Sequence, residues 1–261
     1  AQTQVNGDAV RRWLDFIGAS GFKIPDDAAC TDPALLIALA AKRCYMSFEV
    51  GINPNVTKVR KDLTEYLDNV LKSGHGSVLE HATYTFAIEN VSRVFTSEMN
   101  RHRAGVGISE GSMRYIRYRD IPWWMPPSMK LTPEEEKALK IRDEFEHLPS
   151  AMQGDPGEFM PYRRVEPMFQ VIDNKLKTQA VFRRHFKQTE KNYSELQEIW
   201  AEELDEKSKF HGKKQITSMI RRIIPMGVAT GGVWTMNLRA VRHIIALRAH
   251  ESAEEEIAYV F

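Results

Sequence analysis

The sequence predicts an α/β protein, and three observations carry that reading. Apolar residues recur at helical spacing in several segments that open on capping residues. Residues 83–89 alternate in the manner of a half-buried strand. Glycine and proline clusters cut the chain between such stretches. With 261 residues, 43% of them hydrophobic, the chain is within reach of one large domain with a sizeable core.

Taken in order, Asp32-Pro33 reads as an N-cap followed by proline at the first helical position, opening a helix to Tyr45. Val59, Leu63, Leu67, Val70 and Leu71 give residues 56–71 a second amphipathic helix, which Gly74-His75-Gly76-Ser77 breaks. After the strand at 83–89, residues 91–100 read as a helix that delivers Arg101 at its C-terminal end, where cations are favoured. Residues 113–118 read as a short strand, and 121–127 as an irregular aromatic connection. Thr132-Pro133-Glu134-Glu135 is a capping box that opens a charged helix to about Glu146. Residues 149–167, rich in Gly, Pro and Met, read as a loop, so that about 121–170 forms a helical or irregular insertion in a single 1–261 domain. Phe186, Tyr193, Leu196, Trp200 and Leu204 mark a long helix. An apolar helix ends at Pro225, residues 231–236 read as a turn and short strand, and Asn237 caps a last helix to about Ala249.

Composition excludes several classes of function. Lys+Arg number 36 against 35 Asp+Glu, so a general nucleic-acid binder is disfavoured and any affinity for phosphate must be local. Two cysteines, Cys30 and Cys44, provide neither a disulfide framework nor a zinc spacing, which fits a reducing cytoplasmic setting. No apolar run is long enough to span a bilayer, and the start reads as having no signal peptide. Cys44, on the apolar helix, reads as a buried structural thiol, and neither cysteine reads as a nucleophile. Ser109 and Ser112 have no base beside them in sequence. His75, Glu80 and His81 lack the spacing of a zinc helix, and His81 reads as a core histidine bonded to backbone. The Gly-x-Gly-x-x-Gly and Walker signatures are both absent.

The densest chemistry lies in Arg101-His102-Arg103, the glycine-punctuated stretch Ala104 to Gly111, and Ser112-Met113-Arg114-Tyr115. Arginine forks and backbone N–H groups at turns hold anions, while Glu110 in the same cluster suits a ligand N–H or hydroxyl. The last helix adds a second cluster. At about 100° per residue, Val241, Ile244 and Ile245 point roughly the same way and Arg248 projects among them, while Arg239 and His243 lie together elsewhere. An arginine on an apolar face must pair or reach a ligand. Glu251 and Glu254 are the partners near it in sequence.

Four segments in order resemble one family, the flavin-dependent thymidylate synthases of the ThyX type. They are Gly74-His75-x-Ser77-x-x-Glu80-His81; the Arg101-His102-Arg103 to Arg114-Tyr115 signature, with Glu98 three residues ahead; Arg221-x-x-x-Pro225; and Trp234-Thr235-x-Asn237-x-Arg239-x-x-x-His243 with Arg248-Ala249. The eight residues between Arg103 and Ser112 make this loop one longer than the family's. The resemblance implies an antiparallel or mixed sheet flanked by helices and a methyltransferase converting dUMP to dTMP. Its carbon donor would be 5,10-methylenetetrahydrofolate, with NADPH as reductant through FAD. It implies FAD contacts from His75, Ser77, Arg101, His102, Arg103, Glu110, Asn237, Arg239 and His243. It implies dUMP contacts from Glu98, Met99, Asn100, Arg101, Glu110, Gly111, Ser112, Met113, Arg114, Arg221 and Arg248, with Arg248 as the catalytic residue. It further implies a homotetramer with sites between subunits, no bound metal, and no nucleic-acid or membrane partner. Two other readings stand beside it: a flavoenzyme of the same fold that modifies another pyrimidine nucleotide, and a non-enzymatic nucleotide-binding protein.

Overall fold

The computed structural model describes residues 1–26, 30–60, 62–148, 160–205 and 209–261. Its elements run α1 (Gly7–Phe16), α2 (Asp32–Tyr45), α3 (Leu63–Lys72), β1 (Thr83–Ser92), α4 (Arg93–Met99) and β2 (Val106–Glu110). After them come α5 (Pro133–Glu146), α6 (Met160–Val165), α7 (Phe169–Ile199), α8 (Ala201–Leu204), α9 (Phe210–Ile220), β3 (Ala229–Asn237), α10 (Leu238–Arg248) and α11 (Glu255–Val260). The α/β class is as the sequence predicts. Chain contacts divide it into two compact units, one of residues 1–89, 96–110 and 231–261, the other of residues 90–95 and 111–230.

Side-chain caps decide where several helices start. In α2 the cap is Thr31, whose hydroxyl accepts the Ala34 N–H, so Asp32 lies inside the helix and its carboxylate accepts the Val5 N–H instead. The helix expected over 56–71 begins only at Leu63, because the Asp62 carboxylate accepts the Glu65 N–H and closes the first turn there. Upstream, Val56, Thr57 and Val59 are β-branched and gain little from a helix. The capping box of α5 forms as expected, with Thr132 and Glu135 bonding each other's backbone N–H. Of the loop expected over 149–167, residues 149–159 lie outside the described residues. Residues 160–165 are helical.

Within the first unit, α2, α3 and the 3₁₀ turn Gly76–His81 pack Ile37, Ala38, Leu63, Tyr66, Val70 and Leu79 into one apolar cluster. Leu14 from α1, with Leu35, Leu39 and Phe48, forms another, where Trp13 and Phe22 meet Phe48 edge-on. The second unit has its own core of Ile121, Phe186, Tyr193, Ile220 and Val228.

The sheet has the order β1-β3-β2, with β3 in the centre. Strand β2 runs antiparallel to β3, with Val106 opposite Met236 and Glu110 opposite Gly232. Three expectations fail here. Residues 113–118 are not a strand: Tyr115 and Ile116 both donate their N–H groups to the Ser112 carbonyl, 3.0 Å each, and close a turn. The glycine-punctuated stretch after Arg103 holds the strand instead. Val106, Ile108 and Glu110 are half-buried and Gly107 and Ser109 exposed, a period of two that the glycines hide in the sequence. Gly231 and Gly232, read as a turn, also lie in a strand. A Cβ on Gly232 would stand 2.6 Å from the Ser109 carbonyl oxygen, so the close β2–β3 approach requires glycine.

Trp234 on central β3 is fully buried. Trp234→Ala is expected to cost about 3–5 kcal/mol, read as a lowered urea midpoint. A midpoint equal to wild type would show that the strand carries no core load.

Candidate active site

Arg248 meets two side chains that are distant from it in sequence, Glu98 and His102, in the first unit. Arg248, at the last turn of α10, donates Nη1–H to Glu98 Oε2 at 2.7 Å and Nε–H to His102 Nε2 at 2.9 Å. Helix α10 places Arg248 there through its buried line: Ala240 and Ile244 face the core and Arg248 follows one turn on, with a side chain only 17% exposed. The expected apolar face is corrected in one member, since Ile245 is exposed. The expected partners are corrected too. Glu254 accepts the Glu256 and Ile257 N–H groups as the cap of α11, and Arg248 takes Glu98 from α4. A pairing across 150 positions leaves no local signal in the sequence.

The donor direction fixes the histidine tautomer. Arginine Nε is a donor only, so His102 Nε2 accepts and its proton sits on Nδ1. Burial lowers the His102 pKa below its ordinary 6.5, and the Arg248 and His243 charges lower it further, against the smaller raising effect of Glu98. The His243 ring stands edge-on to His102, with centroids 6.1 Å apart. Arg248 therefore has its Nε and one Nη1 donor committed, and among the described residues Nη2 meets no acceptor. Glu98 Oε1 also stands 3.9 Å from Arg101, whose side chain is 73% exposed.

Around this set, Asn237 ends β3 and caps α10 by accepting the Ala240 N–H, as expected. Its own N–H reaches the Gly105 carbonyl. Gly105 has φ +71°, and a Cβ there would run into the Asn237 amide, so this glycine is required twice. Arg239 is exposed and pairs with Glu80 at 2.6 Å. Arg103 and Ser77 are exposed. His75 is also exposed and meets the Tyr45 hydroxyl at 3.4 Å, a neighbour that sequence reasoning missed. Asn100 donates to Glu110 at 3.1 Å, while its buried Oδ1 has no partner. The Met99 side chain is wholly buried, so only its backbone is available to a ligand.

The remaining expected residues belong to the second unit. Gly111 accepts from Arg93 Nη2 at 2.6 Å. The Ser112 hydroxyl accepts the Arg114 N–H, and Met113 packs against the apolar core. Arg114 is exposed and Arg221 half-buried, and neither guanidinium has an acceptor among the described residues.

Two other expectations are corrected. Cys44 is exposed rather than buried, because it falls on the outer side of α2. His81 is exposed too, since it ends the 3₁₀ turn instead of entering the core. None of the described helices is long and apolar enough to cross a membrane.

Within the first unit, then, Glu98 and His102 hold one half-buried guanidinium, that of Arg248, in a fixed orientation. A family model described as thymidylate synthase complementing protein matches residues 28–261, and the chain belongs to that family. A flavin-dependent thymidylate synthase of Geobacter sulfurreducens is 38% identical over 112 residues, 42% of this chain and 47% of that protein, so the match spans about half of that relative. One of Corynebacterium diphtheriae is 28% identical over 243 residues, 93% of this chain and 77% of that protein. Among solved structures, a UMP/dUMP methylase, PolB from Streptomyces cacaoi, shares the fold with a TM-score of 0.52 at 18% identity, over 87% of this chain and 80% of that one.

Because the folded-state pKa of His102 is lowered, the neutral ring that accepts from Arg248 is complete above its ordinary 6.5 and is lost as pH falls below it. NMR titration of the His102 ring should give a midpoint under 6.5 that moves up in Arg248→Met. A midpoint at or above the ordinary value in wild type would break the assigned tautomer. Gly105→Ala should destabilise by more than about 1 kcal/mol, because both φ and space forbid the methyl. Thermal unfolding reads it, and an unchanged Tm would refute the close approach to Asn237.

Proposed function

We propose that this chain is a flavin-dependent thymidylate synthase that converts dUMP to dTMP, taking a methylene group from 5,10-methylenetetrahydrofolate and reducing power from NADPH through FAD. The observation that carries the proposal is the Glu98–Arg248–His102 set with its one uncommitted donor edge. Uracil C5 becomes nucleophilic when negative charge can build on the ring carbonyl and N3. A guanidinium already oriented in a half-buried setting stabilises that charge without reorganising. Glu98 and the neutral His102 hold Arg248 so that Nη2 faces the ligand. No cysteine nucleophile is required by this chemistry.

The residues present suit the cofactor as a dianionic diphosphate. Arg101 is an exposed cation, and Arg239 is another, two residues beyond Asn237, the cap at the N–H-bearing start of α10. With Arg103, His243, Ser77 and His75 they form the FAD-binding set, and Glu110 serves both cofactor and nucleotide. When bound, FAD supplies the hydride that completes the methyl group. Arg114 and Arg221, with Gly111, Ser112 and the backbone of Met113, take the nucleotide phosphate, for which unpaired guanidinium forks are suited. The Met99 backbone, Asn100 and Arg101 complete the dUMP set. The whole chain works as one catalytic domain, in a cytoplasmic homotetramer that forms each site from more than one copy.

The purified protein is expected to be yellow and to show flavin absorbance, or to take up added FAD. A colourless protein that binds none ends this reading. Arg248→Ala should lose about 10²–10³ in turnover, read as tritium release from C5-labelled dUMP. Release near the wild-type rate would remove Arg248 as the activating residue. Product analysis with dUMP, dCMP and CMP separates thymidylate synthesis from modification of another pyrimidine nucleotide. NADPH oxidation coupled to dTMP formation separates it from nucleotide binding alone.

A further inference from the structure

A second basic site lies in the first unit, away from the Arg248 set in sequence. Lys42 on α2 is 3% exposed, yet among the described residues no carboxylate lies within ion-pair distance of it. Its ammonium has two acceptors, the backbone carbonyls of Ser47 and Arg60, both at a long 3.4 Å. The Tyr66 ring lies 4.2 Å from Nζ and Phe22 5.6 Å, which offsets part of the burial cost. A buried ammonium with three donors and only long contacts is under-compensated. Burial, and then the Arg60 charge, lower the Lys42 pKa accordingly.

Lys42 forms part of the wall of a cleft of about 330 Å³. Lys58 and Arg60 stand at its exposed rim, Tyr45 and His75 line it too, and none of its lining residues is acidic. Glu65 pairs with Arg60 at 3.2 Å, but both side chains are solvent-exposed, so that pair is weak. A hollow with a buried cation, two exposed cations at its rim and no acid in its lining is suited to an anion. His75 also connects the cleft to the FAD-binding set.

We propose that this cleft binds the anionic end of a co-substrate, placing a carboxylate or phosphate oxygen on Lys42 with Lys58 and Arg60 closing over it. The inference rests on the thymidylate synthase reading for the two candidate sources: the glutamate carboxylates of the folate and the 2′-phosphate of NADPH. Lys42 is here a binding residue and takes no part in the methyl transfer.

Anaerobic calorimetric titration of the protein loaded with FAD already reduced by dithionite, which cannot take a hydride from the nicotinamide probes, tests it. The probes are tetrahydrofolate, a tetrahydropterin without the glutamate tail, NADPH and NADH. Lys42→Met should raise the Kd of either tetrahydrofolate or NADPH about tenfold and leave its counterpart without the glutamate tail or the 2′-phosphate unchanged, while Lys42→Arg retains most of the affinity. A loss confined to tetrahydrofolate assigns the carboxylate source, and a loss confined to NADPH the phosphate source. Equal affinities of wild type and Lys42→Met for all four probes overturn the proposal, as does a wild type that binds none. Lys42→Met should unfold no earlier than wild type, since it removes an unpaired buried charge. Should it fail to fold, the exposed double variant Lys58→Ala/Arg60→Ala decides by the same titration, with a several-fold, salt-dependent loss expected and no loss overturning the proposal. Binding is read without turnover, so a wild type that makes no dTMP but binds an anionic probe through Lys42 ends the functional reading and leaves the cleft standing.

Discussion

A guanidinium in a half-buried setting needs an acid, and much of the first unit is arranged around supplying one. Arg248 obtains Glu98 from α4 and the lone pair of His102 just beyond it. That geometry requires α10 to arrive at a fixed angle. The angle follows from β3, which passes into α10 with no residue between them. Asn237 donates to Gly105 beside β2, and Leu238 donates to the Ala82 carbonyl just ahead of β1. The junction is thus held from two sides. Trp234 and Met236, both buried, fix the strand that leads into it.

The charges are unevenly committed. Around Arg248, each partner limits the others: burial and then the arginine charge favour the neutral histidine, and the histidine and the glutamate use up two faces of the arginine. Around Lys42, aromatic rings and distant carbonyls soften a charge they do not neutralise. The first arrangement gives orientation, and the second leaves an attraction unspent. Interior charge of these two kinds suits different duties, one for holding a reacting ring in place and one for taking hold of a passing anion.

Local signals were the legible ones. Thr132 with Glu135, and Asn237 before an apolar run, both announce helix starts, and both form. The alternation in 83–89 marks β1. Arg248 was recognisable as an arginine in need of a partner, because its neighbours one turn back are apolar. Its partner was not, since Glu98 lies 150 residues away and nothing in a single sequence couples the two. Strand β2 was hidden because glycines at 107 and 111 resemble a loop until β3 is beside them. The start of α3 was misread because Val59 fits the helical period that Leu63 begins. Lys42 gave no sign: one lysine on an apolar helix looks like a side chain that reaches for water.

The pairing of Glu110 with Gly232 has a bearing on how the middle of the chain can change. The long segment between them departs from the end of one strand and comes back at a facing position on its neighbour. Its two ends are therefore fastened at a hairpin's spacing, whatever lies between. Lengthening or shortening a surface loop of that segment, outside its core of Ile121, Phe186 and Val228, alters a loop-closure entropy that grows slowly with length. An added residue inside β2 would instead turn every later side chain to the opposite face. Size variation in this architecture has a natural outlet between these two strands, where it leaves the sheet alignment unaltered.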